Sequence, residues 1–297
     1  MTEYLEKFQE YLSVRKSVSD NTLQSYTRDV RLFLDFLSQE GIEEPGQVEA
    51  DGMERYIVWL TKGGRTSSTV VRNIASVRCF YQFLVFSGCA EDNPARNIHL
   101  EREKKKLPMI LSGEEIEQLL QQPDCNDFKG CRDKAMMELL YATGIRVSEL
   151  MDLNVEDVRL QQRILLCRSN RMERMIPIYD DAVRAVREYI FRVRNVLKTV
   201  ESGHALFINL NGKRLTRQGF WKIIKAYADK VGIEKEITPH TLRHSFALHL
   251  LQNGAELKDI QEMLGHADIS STQIYMDLMN DHVNQVYREC HPRAKAR

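Results

Sequence analysis

The sequence has no uninterrupted apolar run approaching the ~18–20 residues that cross a bilayer. Its most apolar stretch, Cys79 to Ala90, is broken by Gln82, Ser87 and Gly88. The first residues, MTEYLEKFQEYL, carry acids and lack a basic stretch ahead of an apolar block, so no secretion signal is expected. None of the six cysteines forms a CxxC pair or an even framework, which excludes a disulfide scaffold and fits reduced thiols in the cytoplasm. There is no Walker or Rossmann glycine loop, no HExxH and no Gly-x-Ser-x-Gly. Internal repeats and low-complexity tracts are also missing. Net charge is zero, from 42 basic and 42 acidic residues, so no global field pulls the chain onto nucleic acid. Any such affinity must come from local patches.

What is present is the composition of a folded protein. Apolar residues make up 43% and charged residues 28% of 297, enough for about two domains with real cores. The first 100 residues hold 11 basic and 14 acidic groups, so the basic excess lies further on. Four helical repeats occupy this first part. Tyr4, Leu5, Phe8, Tyr11 and Leu12 mark one. Leu23, Tyr26, Val30, Phe33, Leu34 and Leu37 mark a second, with Ser19 and Asp20 as cap candidates. A third runs near Val48 to Leu60 and stops at Gly63-Gly64. The fourth starts near Thr66 and carries Val70, Ile74, Val77, Phe80, Tyr81 and Leu84. Short links between them predict an antiparallel bundle.

Asn93-Pro94 marks a turn, and EREKKK at 101–106 is a charged run followed by Pro108. It reads either as a solvated loop or as a basic strap in which Lys104, Lys105 and Lys106 lie along a phosphate backbone. Ser112 and Glu115 then form a capping-box pattern. Helices are expected at 112–121, 131–142, 180–198, 217–231, 240–252, 256–264 and 281–290. Two short strands are expected at 163–168 and 174–178, around SNRME. The predicted fold is mainly α: an N-terminal helical bundle, then a mostly helical domain with a small β-sheet. The boundaries fall at 1–100, a linker at 101–108, and 109–297.

Chemistry-bearing residues cluster in the second part. Arg146 lies in ATGIRVSEL, after a glycine at a helix break, with Glu149 as a possible partner. His240 and Arg243 lie on one helical face in TPHTLRHSFALHLL. His266 follows the Gly265 that ends a helix, and Tyr275 stands nine residues later. His240 and His244 are spaced to share a zinc ion, but no third ligand stands at finger spacing. Singly, each of these has an ordinary structural explanation.

In this order they resemble the signature of the tyrosine recombinase (phage integrase) family: Arg, a hairpin Lys, His-x-x-Arg, His, then Tyr. The resemblance covers the whole chain, including TSSTVVRNIASVRCFYQFL as part of a DNA-binding core-binding domain. The compact length and the terminal HPRA at 291–294 are most similar to the branch that resolves chromosome dimers in bacteria. The resemblance implies that Tyr275 attacks a DNA phosphodiester to form a 3′-phosphotyrosyl link. Phenol has a pKa near 10, so only about 0.1% is ionised at pH 7 and the nucleophile needs help. Arg146 and Arg243 would clamp the phosphate. His240 would take or relay the Tyr proton, and His266 would donate to the phosphate. No metal and no other cofactor is implied. The expected partners are double-stranded DNA, further protomers in a homo- or hetero-tetramer, a second Xer-type recombinase and a DNA translocase, with no membrane.

One departure stands out. Aligning Glu173, Arg174 and Pro177 on the family's hairpin puts Ser169 where the general-acid Lys is expected, and residues 163–178 contain no Lys. Arg168 and Arg171 supply charge nearby, but guanidinium gives up a proton poorly. Lys213, in NLNGKR, is a candidate substitute. A smaller departure is Asp277, where relatives often carry His. Arg72 and Arg78 on the fourth helix, and Thr216, Arg217 and Gln218 at the start of another, are further DNA-facing candidates. Three rivals accompany this reading. They are a cleavage-impaired DNA-binding accessory protein, a topoisomerase-like enzyme, and a helical transcription regulator.

Overall fold

In a computed structural model the chain divides into two compact units, residues 1–106 and 107–297. The structure describes residues 2–100, 108–169, 172–238, 240–265 and 275–276. No helix among the described residues is long and apolar enough to cross a membrane.

The N-terminal unit contains α1 (Thr2–Val14), α2 (Asp20–Gln39), α3 (Ala50–Lys62) and α4 (Ser67–Phe86). These are the four helices of the apolar repeat pattern. Ser19 caps α2 by accepting from the Thr22 N–H, and Thr66 caps α4 by accepting from the Thr69 N–H. Each cap satisfies a donor the helix cannot, which typically stabilises by ~1 kcal/mol. The apolar faces close on aromatic rings. Phe8 meets Phe80 edge-on at 5.3 Å, and Phe33 meets Tyr56 at 4.9 Å. The Tyr56 hydroxyl, buried with them, donates to Asn73 Oδ1 at 2.8 Å.

The C-terminal unit opens with α5 (Gly113–Leu120), begun by the Ser112–Glu115 capping box. Next come α6 (Phe128–Thr143) and α7 (Val147–Asp152). A three-stranded antiparallel sheet follows, β1 (Val158–Arg159), β2 (Ile164–Ser169) and β3 (Met172–Pro177), in the order β1-β2-β3. Then come α8 (Asp180–Glu188), α9 (Asn195–Leu197), α10 (Arg217–Lys230), α11 (Thr241–Gln252) and α12 (Leu257–Leu264). The class is the expected one, mainly helical with a small sheet.

Three details differ from the sequence pattern. The hairpin is tighter than expected. Pairing continues to Ser169–Met172, so Ser169, Met172 and Glu173 of SNRME belong to the strands. Strand β1 is only two residues long, too short to show an alternation. The helix expected over 180–198 is interrupted by a π-helical turn at Tyr189–Arg194. Within that turn, buried Tyr189 donates to the Leu206 carbonyl at 3.1 Å and accepts from the Ile208 N–H at 3.1 Å. Tertiary bonds of that kind leave no trace in apolar spacing. The helix expected at 281–290 lies outside the described residues. Cys79, Cys89, Cys125, Cys131 and Cys167 are free thiols.

Helices α6 and α11 are buried nearly all round. A helix enclosed on all sides carries little amphipathic signal. They form the floor of the candidate site. Thr238 and Thr241 start α11 together: the Thr238 N–H donates to Thr241 Oγ1 at 2.8 Å, and the Thr241 N–H to the Thr238 carbonyl at 3.0 Å.

Candidate active site

Helix α6 ends at Gly144, whose φ of 59° is left-handed. A side chain there would be strained, and its Cβ would lie 2.3 Å from the Phe246 ring. The reversal delivers Arg146 to the N-cap of α7. Glu149, one turn on, accepts the Arg146 backbone N–H at 2.7 Å and the Arg146 Nη1 at 3.2 Å. Its Oε2 also accepts from Arg174 Nη2 at 2.8 Å. Burial alone would raise the Glu149 carboxyl, but hydrogen bonds from Arg174 and from the Arg146 backbone, with both guanidinium charges, hold it below the usual range. The carboxylate is therefore a fixed anion that aims Arg146, whose side chain stays 40% exposed.

Arg243, on α11, is only 3% exposed. Its Nη1 donates to the Gly144 carbonyl at 2.7 Å and its Nη2 to the Leu264 carbonyl at 2.8 Å. One guanidinium thus ties together the C-terminal ends of α6 and α12, where helix dipoles favour a cation. Burial, then the neighbouring Arg146 charge, lowers its pKa to about 10. It stays protonated at neutral pH. Gly265 caps α12 with a φ of 63°. A Cβ at that position would meet Arg174 Nη1 at 2.8 Å. Arg174 reaches the same turn, donating from Nε to the Met263 carbonyl at 2.8 Å.

Tyr275 is fully buried, packed with Phe246, Ala247, Leu251, Ile260 and Leu264. Its hydroxyl lies 2.9 Å from His244 Nδ1. His240, the residue the sequence order selects as proton relay, caps α11, with its ring centroid 6.1 Å from that of His244. Burial, then His240 and Arg243, pushes His244 down to about 4, so it is neutral at pH 7. His240 is lowered by burial, then by Arg243 and Arg146. Burial raises the Tyr275 phenol, against a lowering pull from Arg243 and Arg146.

Arg146 and His240 line one groove of ≈ 380 Å³ together with Ser148, Arg217, Gln218 and Trp221. Two of the DNA-facing candidates therefore converge with two of the catalytic ones. Thr216 caps α10 by accepting from the Gly219 N–H at 3.1 Å. A larger hollow on the N-terminal unit, ≈ 940 Å³, is lined by Glu44, Glu49, Glu54, Glu91 and Asp92. Its charge is wrong for a phosphate.

Other candidates are held in different ways. At the hairpin, Ser169 forms the last backbone pair before the turn. Arg168 is exposed and donates to Asp157 Oδ1 at 2.7 Å. Lys213 pairs with Glu201 at 3.0 Å on the surface. In the N-terminal unit, Arg72 is tethered to buried Asp29, which also accepts from Ser76 Oγ at 2.8 Å. Arg78 donates to the Ala95 and Ile98 carbonyls at 2.9 and 2.8 Å, so its guanidinium clips the segment after α4 onto the bundle. Lys104, Lys105, Lys106, Arg171 and His266 lie outside the described residues.

Sequence order did not single out His244 or Arg174 as functional. His244 was visible only as half of a zinc-like pair. Arg174 was visible only as an alignment anchor. Its burial against Glu149 requires knowing that β3 meets α7.

A buried tyrosine hydroxyl set against a histidine ring, an arginine binding the carbonyl at a helix end and a β-hairpin on a helical scaffold are the parts the structure assembles, and the comparisons place them in a family. The phage integrase family model matches residues 110–282, and the model of the phage integrase N-terminal SAM-like domain matches residues 5–88. The chain belongs to the phage integrase family of tyrosine recombinases. Among curated relatives, it is 42% identical to tyrosine recombinase XerD of Oceanobacillus iheyensis, over 99% of this chain and 100% of the relative. It is 41% identical to tyrosine recombinase XerD of Halalkalibacterium halodurans, over 98% of each. Among solved structures it resembles XerA recombinase at 29% identity, with a TM-score of 0.55 over 98% of this chain and 99% of that one. It shares the fold of the XerH site-specific recombinase bound to a palindromic difH substrate, at 21% identity and a TM-score of 0.76, over 96% of this chain and 83% of that one.

Proposed function

We propose that the chain cuts and rejoins double-stranded DNA at a specific site, with Tyr275 as nucleophile, in the manner of XerD and in the service of chromosome dimer resolution. The observation that carries this reading is that Arg146 and His240 share one groove with Arg217 and Gln218, while Arg243, on the helix that His240 caps, binds the Gly144 carbonyl close to Arg146 in sequence and its neighbour His244 holds the Tyr275 hydroxyl. Tyr275 Oη attacks phosphorus and the bond to the 5′-oxygen breaks. The free 5′-hydroxyl of a second strand later reverses the step. The two arginines stabilise charge on the non-bridging oxygens, each charge-assisted bond contributing roughly 1.5–3 kcal/mol. His266, at its place in the motif order, would donate a further bond. Strand exchange needs two DNA sites, so the working unit is a tetramer on DNA, homomeric or built with a second Xer-type recombinase, acting in the cytoplasm. The segment at 101–108, with Lys104, Lys105 and Lys106, serves as a strap along the backbone.

A second reading has one specific observation in its favour: the sequence has Ser169 at the hairpin position where the family order expects Lys. A protein so built binds its site but cleaves slowly, as an accessory to a partner. The experiment that separates the two uses a nicked duplex carrying the host's dimer-resolution site. Binding is read by gel shift and covalent product on a denaturing gel. A covalent band that vanishes in Tyr275→Phe supports the recombinase. A clear shift with no band supports the accessory protein.

A further inference from the structure

We infer that His244 is a positioning residue for the nucleophile: its Nδ1 holds the Tyr275 hydroxyl proton, so that the phenol presents a lone pair rather than its proton to phosphorus. This rests on Tyr275 being the nucleophile, and it goes beyond that assignment. The family order points to His240 as the ring that serves Tyr275. The structure puts a different ring at the hydroxyl. His244 Nδ1 is 2.9 Å from Tyr275 Oη, with the two ring centroids 5.7 Å apart. His240 caps α11, and its ring borders the groove.

The geometry matters because a phenol has one proton and must not point it at the electrophile. Tyr275 is fully buried beside an apolar cluster, so water does not compete for its proton in this arrangement, and the His244 contact sets the proton's direction before the hydroxyl is uncovered to phosphorus. A buried hydroxyl takes whatever acceptor is fixed beside it. His244 is fixed by helix α11, whose buried residues flank it on both sides, Arg243 and Ser245. The ring is uncharged at neutral pH, because burial and the charges of Arg243 and its His240 neighbour disfavour the imidazolium. In the neutral form with the proton on Nε2, Nδ1 is an acceptor and the phenol is the donor. The same low basicity makes His244 a poor base for a phenol. Its contribution is therefore direction, and misdirection of a reacting group by about an ångström costs on the order of 10²-fold.

Direction and basicity separate by substitution. Asn carries a carbonyl oxygen near the place of Nδ1 and does not titrate in this range. Gln has the same chemistry but reaches the place of Nε2. Leu removes the acceptor. The test is single-turnover covalent capture on the nicked host-site duplex, with gel shift on the same duplex to establish binding. His244→Leu and His244→Gln are expected to slow capture by about 10–100-fold with binding kept. His244→Asn recovers at least about a third of the wild-type rate, which neither a bulk structural role nor a proton-transfer role would produce. Equal rates for the Asn and Gln variants overturn the inference, whether both are fast or both slow. Since Asn and Gln are alike in polarity, a folding defect in the Leu variant does not blunt the comparison. Tyr275→Phe runs alongside. Persisting covalent product in that variant overturns the nucleophile assignment itself, and leaves His244 with nothing to position.

Discussion

Two sets of polar groups in the C-terminal unit are built on opposite principles. One set is buried and interlocked: Arg243 joins the ends of α6 and α12, Arg174 joins β3 to Glu149, and Tyr275 rests on His244. In the other set the cation is exposed: Arg168 on β2 reaches in to buried Asp157, and Lys213 pairs with Glu201 on the surface. Buried charges hold position because losing a partner strands the other, at a typical cost of 3–5 kcal/mol. Exposed pairs contribute about 0–1 kcal/mol and are free to change.

The largest expected effect is chemical. Tyr275→Phe removes the only atom able to make the covalent link, so capture on a nicked duplex falls below detection while the gel shift persists. Next comes the clamp. Arg243→Lys keeps the charge but loses the fork that serves two helix ends, and capture should fall by about 10²–10³-fold, the range seen when one transition-state donor is removed. Glu149→Ala strands Arg174 and Arg146, and should cost about 3–5 kcal/mol in urea unfolding of the protein. If either variant behaves like wild type, the two sets do not differ in the way described.

At the hairpin the sign reverses. Ser169→Lys supplies a proton donor and should speed cleavage of an intact duplex by at least about tenfold, since a positioned acid typically contributes 10²–10⁴-fold. Lys213→Ala should change the rate by less than about threefold, as expected of an exposed, locally paired side chain. A larger loss would make Lys213 the replacement acid.

A separate effect is on stability against pH. His244 has a folded-state pKa of about 4, below the ordinary value of 6.5. Between these values the unfolded chain binds the proton and the folded one does not. The stabilisation is complete above pH 6.5 and is lost as pH falls toward 4. In chemical unfolding, His244→Asn should flatten the acid-side slope over that window.

Much of this was legible in the residues themselves. The four helices of the N-terminal unit follow from Phe8, Phe33, Tyr56 and Phe80 recurring at helical spacing, because each of those helices has one wet face. Ser112 and Glu115 announced α5 because a capping box is a local bond pair. The order Arg146, His240, Arg243, Tyr275 gave the chemistry through family resemblance. What stayed hidden depends on contacts between distant segments. Arg78 reads as a surface arginine on α4 until Ala95 and Ile98 are seen to fold back onto it. His244 reads as the partner of His240, since spacing along a helix says nothing of a tyrosine 31 positions away. The strand ends at Ser169 and Met172 look like loop because SNRME is mostly polar, and only the pairing of β2 with β3 shows otherwise.

We propose that Tyr275, Arg146 and Arg243 supply the attack on phosphorus and that Ser169 leaves the departing 5′-oxygen without a positioned acid. The most direct measurement is the single-turnover cleavage rate of two duplexes, one ordinary and one with sulfur in place of the 5′-bridging oxygen at the scissile phosphate. A thiolate leaves without a proton, so sulfur replaces the acid and leaves the demands on Tyr275, Arg146 and Arg243 unchanged. The account predicts that sulfur speeds the wild-type protein by about 10²-fold or more, and speeds Ser169→Lys far less. Equal wild-type rates on the two duplexes would contradict it, by showing an acid already in place. Failure to cleave even the sulfur duplex would contradict it from the other side, by showing that Tyr275, Arg146 and Arg243 do not supply the attack.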